Sequence, residues 1–317
     1  MIEQPLVVVV TVNWNTAKET LQCVDSVLKS DYSNLSLLVV DNGSRAEEPG
    51  LLREGLPDGV KLLELDKNYG YVGGINRGLK QAEELSPEYV LVMNNDTVLD
   101  PSAISELVLA SQRHANKCIV TGVVYDYYQP ELIQQTGSIC VNRRRLTYKP
   151  LHRNVRDPGL PPEDREVDMI DDVFWLLHIK VFKSVGYYCD CFWFNDEQAD
   201  YALRALRKGF KLFFSPKAKL WHMGSLSIGG RNSNPVREYF DIKSRLILRY
   251  RHLGKLDFAG YYLETLYALG KAALKSMLGR GIDSRVIKSR YMGLNGFHRW
   301  LAHKTPDTGD YPPELLR

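Results

Sequence analysis

The stretch Leu6-Val7-Val8-Val9-Val10-Thr11-Val12-Asn13-Trp14-Asn15 decides the fold. A short, continuous, mostly β-branched run suits a strand buried on both faces, as in a parallel sheet covered by helices on each side. It stops abruptly at polar residues. Thr16 and Glu19 then form a capping-box pattern that opens a helix to about Ser30. The alternation continues downstream: Leu35–Val40, Val60–Leu65 and Tyr89–Met93 read as strands with polar ends, and Gly74–Glu84 reads as a helix before the last of them. Strands alternating with helices predict an α/β fold with a mostly parallel central sheet flanked by helices, and ligands beyond the carboxyl ends of its strands.

Past the next strand, Cys118–Val124, the regularity weakens, and residues 142–166, rich in Arg and Pro, read as a loop or short hairpin. A helix is expected from near Asp196 to Lys208, stopped by Gly209, with short strands at Lys211–Phe214 and Lys219–His222. From Pro235 the pattern is helical, with candidates at Tyr239–His252, Phe258–Leu278 and Ser284–His303.

A net charge of +3 on 317 residues, with no dominant block of like charge, gives no reason to expect a general nucleic-acid binder. From Asp241 to the end, however, 14 Lys/Arg face 7 Asp/Glu, so a basic tail follows a mildly acidic body and suits contact with anionic surfaces. The five cysteines, Cys23, Cys118, Cys140, Cys189 and Cys191, show neither a disulfide framework nor zinc spacing, so reduced thiols and a cytoplasmic setting are expected. The Leu6–Val12 run is too short for a signal core or a membrane span.

Polar clusters stand at four successive strand ends: Asn13-Trp14-Asn15, Asp41-Asn42-Gly43-Ser44, Asn68-Tyr69-Gly70 with Gly73-Gly74-Ile75-Asn76, and Asn94-Asn95-Asp96. One alone is an ordinary turn; four on one edge imply a shared site. Asp41 can accept from the ring N–H of a pyrimidine base, with an Asx turn as the plainer reading. The glycines allow close approach of a ligand, with amides from Asn68 and Asn76 around them. Their spacing is not the G-x-G-x-x-G fingerprint, which argues against a nicotinamide cofactor. Asp96, where a buried strand emerges, can hold Mg²⁺ or Mn²⁺, ions that take few ligands from protein and the rest from phosphate and water; helix capping is the alternative. His222, in Trp221-His222-Met223, is either a structural histidine or a further ligand.

In this order, these clusters resemble the family 2 glycosyltransferases, within them the rhamnosyltransferase-like branch. The resemblance continues through Val185-Gly186, Glu197 with Asp200 and Arg204, Gly209 and Trp221-His222, covering about residues 5–250. It implies a GT-A type, Rossmann-like fold, an inverting reaction and a divalent metal, Mn²⁺ or Mg²⁺. A GT-A domain is then expected over 1–234, with a nucleotide-binding half to about 124 and an acceptor half beyond it, and a C-terminal helical segment over 235–317. Residue by residue, Asp41 would read the base; Asn68 and Gly70, with Asn13, Asn15, Asn76 and Asn95, would line the nucleotide site; Asp96 and His222 would meet the metal or diphosphate. The implied donor is dTDP-rhamnose, then UDP sugars, and the acceptor a glycan or lipid-linked hydroxyl in cell-surface polysaccharide synthesis.

Two departures stand out. The Glu-Asp pair that carries the family's base reads Glu197-Gln198, and an amide cannot accept a proton from a hydroxyl. Glu197 is therefore the expected base, with Asp196 as the second candidate; both would otherwise only cap the helix. Asp171-Asp172 replaces a small-residue segment: the two carboxylates are read as binding acceptor hydroxyls, as supplying the base from one of them, or as solvated loop charges, and with Asp200 they are the acceptor-side candidates. Two rival functions stay open: a catalytically silent nucleotide-sugar binder, and a sugar nucleotidyltransferase, which would want a Gly- and Lys/Arg-rich loop after the first strand. In the C-terminal segment, Tyr261, Tyr262, Leu266, Leu269 and Leu274 lie among Lys271, Lys275 and Arg280, read either as a helix packed on the domain or forming a homodimer, or as a peripheral membrane contact at the inner face of the membrane.

Overall fold

The computed structural model describes residues 4–224, 234–278 and 283–306. Arg280 lies outside them. The chain begins with β1 (Val7–Asn13), α1 (Ala17–Leu28), β2 (Leu35–Asp41), α2 (Glu48–Gly55), β3 (Lys61–Glu64), α3 (Gly70–Glu84) and β4 (Tyr89–Met93). β5 (Thr97–Leu99), α4 (Ala103–Arg113) and β6 (Cys118–Asp126) follow, then the short strands β7 (Leu132–Gln135), β8 (Ser138–Asn142), β9 (Thr147–Pro150), β10 (Val155–Arg156) and β11 (Arg165–Val167). β12 (Phe174–His178), α5 (Ile179–Val185), α6 (Glu197–Arg207) and β13 (Lys211–His222) complete the α/β body, and α7 (Pro235–His252), α8 (Lys255–Met277) and α9 (Ser284–His303) close the chain.

The main path of the sheet runs β10-β7-β6-β12-β4-β1-β2-β3, with β13 beside β6 and carrying β5 and β11. β1 pairs in parallel with both β2 and β4, and β2 with β3, while β12 runs antiparallel between β4 and β6. The alternation of a strand's side chains explains the unbroken valine run. Val7 and Val9 face α1 and α4 in one apolar cluster, and Val8 and Val10 face α3 and α6 in the other. All four are fully buried, worth about 1.5–3 kcal/mol each.

Several local expectations are corrected. Thr16 stands at the N-cap of α1 but makes no capping bond; its hydroxyl donates to Asn13 Oδ1 at 3.2 Å, and Glu48 from α2 takes the Ala17 amide at 2.7 Å. α3 starts at Gly70, not Gly74. The two short strands beyond Gly209 form one strand, β13, whose register slips between Phe214 and Lys219, where Pro216 cannot donate to a ladder. Cys189 and Cys191 are bridged by a disulfide, contrary to the reading of all five as thiols, because the short turn between α5 and α6 brings the two sulfurs together. Among the described residues no helix is long and apolar enough to cross a membrane.

The helices after residue 235 are joined to the body through α7. Ser244 donates to the Phe194 carbonyl at 2.8 Å, and Asn195 to Asp241 at 2.6 Å. α9 packs along α7, where Gly293 and Gly296 allow the Tyr239 backbone and ring to come close. α8 is held less completely. Leu256, Leu263, Tyr267, Leu274 and Leu278 fall in one line on its outer face, each 58% exposed or more.

Candidate active site

A cavity of about 700 Å³ opens beyond the carboxyl ends of β1, β2 and β4, walled on the far side by the turn before α6 and by the start of α7. The sheet sets its floor. Asn13 pairs with Asp41 across β1 and β2, and Met93, the residue before Asn94-Asn95-Asp96, pairs with Phe174, just after Asp171-Asp172. The strand ends therefore meet at one level.

Two polar knots fix the floor. Asn13 donates to Asp41 Oδ1 at 2.9 Å and accepts from Thr20 at 2.8 Å; Thr16 and Thr20 in turn accept from Asn95 at 2.7 and 2.8 Å. Ser44 donates to the same Asp41 oxygen at 2.5 Å. In the second knot Asn42 donates to Asn68 at 3.1 Å and to the Gly70 carbonyl at 2.9 Å, while Asn68 accepts from the Gly70 amide at 2.7 Å. Gly70 has φ +73°, and an added Cβ would lie 2.5 Å from the Trp193 ring and 2.7 Å from its carbonyl oxygen. Only glycine lets the chain turn there under the indole.

Asn42, Asn68, Gly70, Asn95, Asp96, Asp171, Asp172, Glu197 and His222 line the cavity, as expected of all but Asn42. Other expected residues are not among its lining. Asp41 is buried behind the wall, held by Asn13 and Ser44, and Asn13 is spent in the same knot. Asn15 accepts from the Arg45 amide at 2.8 Å. Asn76 joins α3 to the Tyr188 backbone, donating at 2.9 Å and accepting at 3.0 Å. Asp200 is wholly buried among Arg204, Arg251 and His252, at 2.8, 2.8 and 2.7 Å, because it lies one turn into α6 on the face toward α7. Burial raises the Asp196 carboxyl, opposed by the charges of Arg245 and Arg249 on α7.

The histidine and the carboxyl groups of the cavity occupy two sides. On one, His222 Nδ1 lies 2.6 Å from Gln134 Oε1, and Nε2 lies 3.1 Å from Asp96 Oδ1 without a hydrogen-bond partner. An amide oxygen accepts, so Gln134 is placed to take a hydrogen bond from Nδ1, and Nε2 is turned toward the carboxylate. A buried nitrogen and a carboxylate oxygen this close suit a divalent cation with the remaining positions filled by phosphate and water. Among the described residues no group of three or more acidic, histidine or cysteine ligands accompanies them.

On the other side stand Asp171, Asp172 and Glu197. Burial, and then the charge of Asp171, pushes Asp172 up to about 7, although Tyr71 and Tyr188 donate to it. Burial, and then Asp172, raises Glu197 well above the usual carboxyl range. Burial also raises Asp171, opposed by Gln198, Arg153 and His222. Gln134, Arg153, Trp193 and the two tyrosines were not picked out from the sequence. Gln134 and Arg153 lie in its least regular part, and nothing there marks them.

A sequence profile described as Glycosyl transferase family 2 matches residues 7–182, more than half of the chain. The chain belongs to that family. It is 27% identical over 195 residues to the low-salt glycan biosynthesis hexosyltransferase Agl10 of Haloferax volcanii, covering 58% of this chain and 59% of that one. It is 24% identical over 238 residues to the N-acetylglucosaminyl-diphospho-decaprenol L-rhamnosyltransferase of Mycobacterium tuberculosis, covering 70% and 77%. The crystal structure of GalNAc-T7 with UDP, GalNAc and Mn²⁺ superposes with a TM-score of 0.63 at 17% identity, covering 98% of this chain and 59% of that one. The mannosyltransferase PcManGT of Pyrobaculum calidifontis, in complex with GDP-Man and Mn²⁺, gives 0.56 at 16% identity, covering 96% and 82%. These likenesses establish the GT-A fold expected from the sequence. The chain spans between about half and three-fifths of the length of the first curated relatives it matches.

Proposed function

We propose that this family 2 chain moves a sugar from a nucleoside-diphosphate donor to a hydroxyl acceptor, with inversion at the sugar carbon. The observation that carries the reading is the pairing of Asp96 with the partnerless Nε2 of His222, in the same cavity as the Asn42–Asn68–Gly70 knot. The knot offers backbone and amide groups to a nucleoside. Arg153 and Arg237, also in the lining, supply positive charge for a diphosphate. Asp96 and His222 would hold Mn²⁺ or Mg²⁺, which as a Lewis acid offsets charge on a departing diphosphate. On the opposite wall the carboxyl cluster faces the place left for an acceptor.

The family resemblance and the rhamnosyltransferase relative support dTDP-rhamnose as first donor, with UDP sugars next, and a glycan or lipid-linked acceptor in cell-surface polysaccharide synthesis. The exposed apolar line of α8, with Lys271 and Lys275 beside it, supports contact with an anionic membrane surface near such an acceptor.

A thermal-shift screen of dTDP, UDP, GDP and their sugars with and without Mn²⁺ tests the reading, together with the products formed. A metal-dependent shift with release of nucleoside diphosphate supports transfer. A shift without release favours a silent binder, the second reading that Gln198 recommends; pyrophosphate release from a nucleoside triphosphate would point to a nucleotidyltransferase.

A further inference from the structure

The start of α6, where the resemblance places a base, presents Gln198 to the cavity. Across from it, Asp172 precedes β12, and the register Phe174↔Met93 brings it level with Asn94-Asn95-Asp96. Tyr71 from α3 and Tyr188 from the turn after α5 both donate to its Oδ2, at 3.2 and 3.1 Å, and their rings meet edge to face at 6.4 Å. Both bonds fall on Oδ2, and among the described residues no other side chain donates to this carboxylate. Beside this carboxylate, Glu197 is 4% exposed, lines the same cavity, and has no hydrogen-bond partner on Oε2. A buried polar atom without a protein partner in a cavity wall calls for a ligand group.

We propose that Asp172 takes the proton of the acceptor hydroxyl, with Tyr71 and Tyr188 as positioning residues, and that this arrangement replaces the base missing at Gln198. The inference rests on the transfer reaction proposed above. In the step, the acceptor O–H proton passes to the Asp172 carboxylate as the oxygen bonds to the sugar carbon. The bond from that carbon to the diphosphate oxygen breaks, and its electron pair leaves with the nucleoside diphosphate. Two buried carboxyls this close do not both ionise. Tyr71 and Tyr188 donate to Asp172 and favour its ionised form, whereas Glu197 Oε2 has no partner among the described residues, so Asp172 is assigned the charge and Glu197 the proton. The groups facing Asp172 are Tyr71, Tyr188, Asp171 and Glu197. Glu197, first choice from the sequence alone, thus becomes the neutral neighbour.

The test follows nucleoside diphosphate released from dTDP-rhamnose and UDP-N-acetylglucosamine with Mn²⁺, water acting as acceptor, while thermal shift reports donor binding. Asp172→Asn is expected to lower the release rate about 10²- to 10⁴-fold with the donor's thermal shift retained. In the wild-type chain the rate should rise as pH rises through about 7. Tyr71→Phe combined with Tyr188→Phe removes hydrogen bonds that favour the ionised form and should move that midpoint upward, which a purely structural role would not do. Gln198→Asp in the Asp172→Asn background, returning a carboxylate to α6, is expected to recover at least about tenfold. Wild-type rates in Asp172→Asn, or a loss confined to Glu197→Gln, overturn the assignment while leaving the transferase reading intact. Neither binding nor release by the wild-type chain with any nucleotide sugar would overturn both.

Discussion

Replacing Asp200 by asparagine probes whether that carboxylate serves the substrate or the fold. It is wholly buried and accepts bonds from Arg204, Arg251 and His252. Burial would raise its carboxyl, but the His252 bond and the two guanidinium groups hold it well below the usual range. Burial in turn lowers His252 despite the carboxylate beside it, so at neutral pH the cluster's cations are the two arginines. Removing the anion leaves those charges facing each other in a largely buried place, a loss of about 3–5 kcal/mol, nearer about 3 because the amide still accepts one bond. With an unfolding entropy of about 2.1 cal/mol/K per residue, about 3 kcal/mol lowers Tm by roughly 4–5 °C in a chain of this size. The folded carboxyl titrates below the unfolded one, so its stabilisation is full above about pH 4 and is lost as pH falls through the folded value. Calorimetry or urea titration of wild type and variant, at pH 7 and toward pH 3, should show a gap that holds down to about pH 4 and begins to narrow below it. Equal stability at pH 7 together with lost acceptor use would refute the argument and return Asp200 to the acceptor side.

Three further outcomes are expected. Asp96→Asn or His222→Ala should abolish the Mn²⁺-dependent part of the nucleotide thermal shift, weakening metal-assisted binding at least about tenfold; an unchanged Mn²⁺ titration would remove both from the metal site. Gly70→Ala should cost about 1–3 kcal/mol by urea titration and weaken nucleotide binding, because φ +73° and the Trp193 ring leave no place for a methyl group. Leu263→Asp with Tyr267→Asp should reduce sedimentation with phosphatidylserine vesicles while moving stability by no more than about 0.5 kcal/mol, since both side chains are exposed; unaltered sedimentation would exclude α8 as the contact.

What the sequence by itself determined is the layered α/β body and the edge on which the cavity opens. The Leu6–Val12 run and its successors are too apolar and too short to be anything but buried strands, and each ends at the residues that line or brace the cavity. Asp96 and His222, singled out as a lone acid at a strand tip and a histidine after a strand, both line that cavity. Tertiary structure decided the rest. Asn13, Asn15, Asp41 and Asn76 looked like ligand-binding groups because a polar residue's type shows that it needs partners, not which ones; folding supplied them from Thr20, Ser44, Arg45 and Tyr188. Asp200 was carried the other way, toward α7, by 51 and 52 residues of intervening chain to Arg251 and His252. Asp172 and Glu197 come together on one wall of the cavity only because β12 docks between β4 and β6. Local pattern records how a segment buries itself, whereas the neighbours that set a carboxyl's proton affinity come from distant segments and exist only once the sheet has closed.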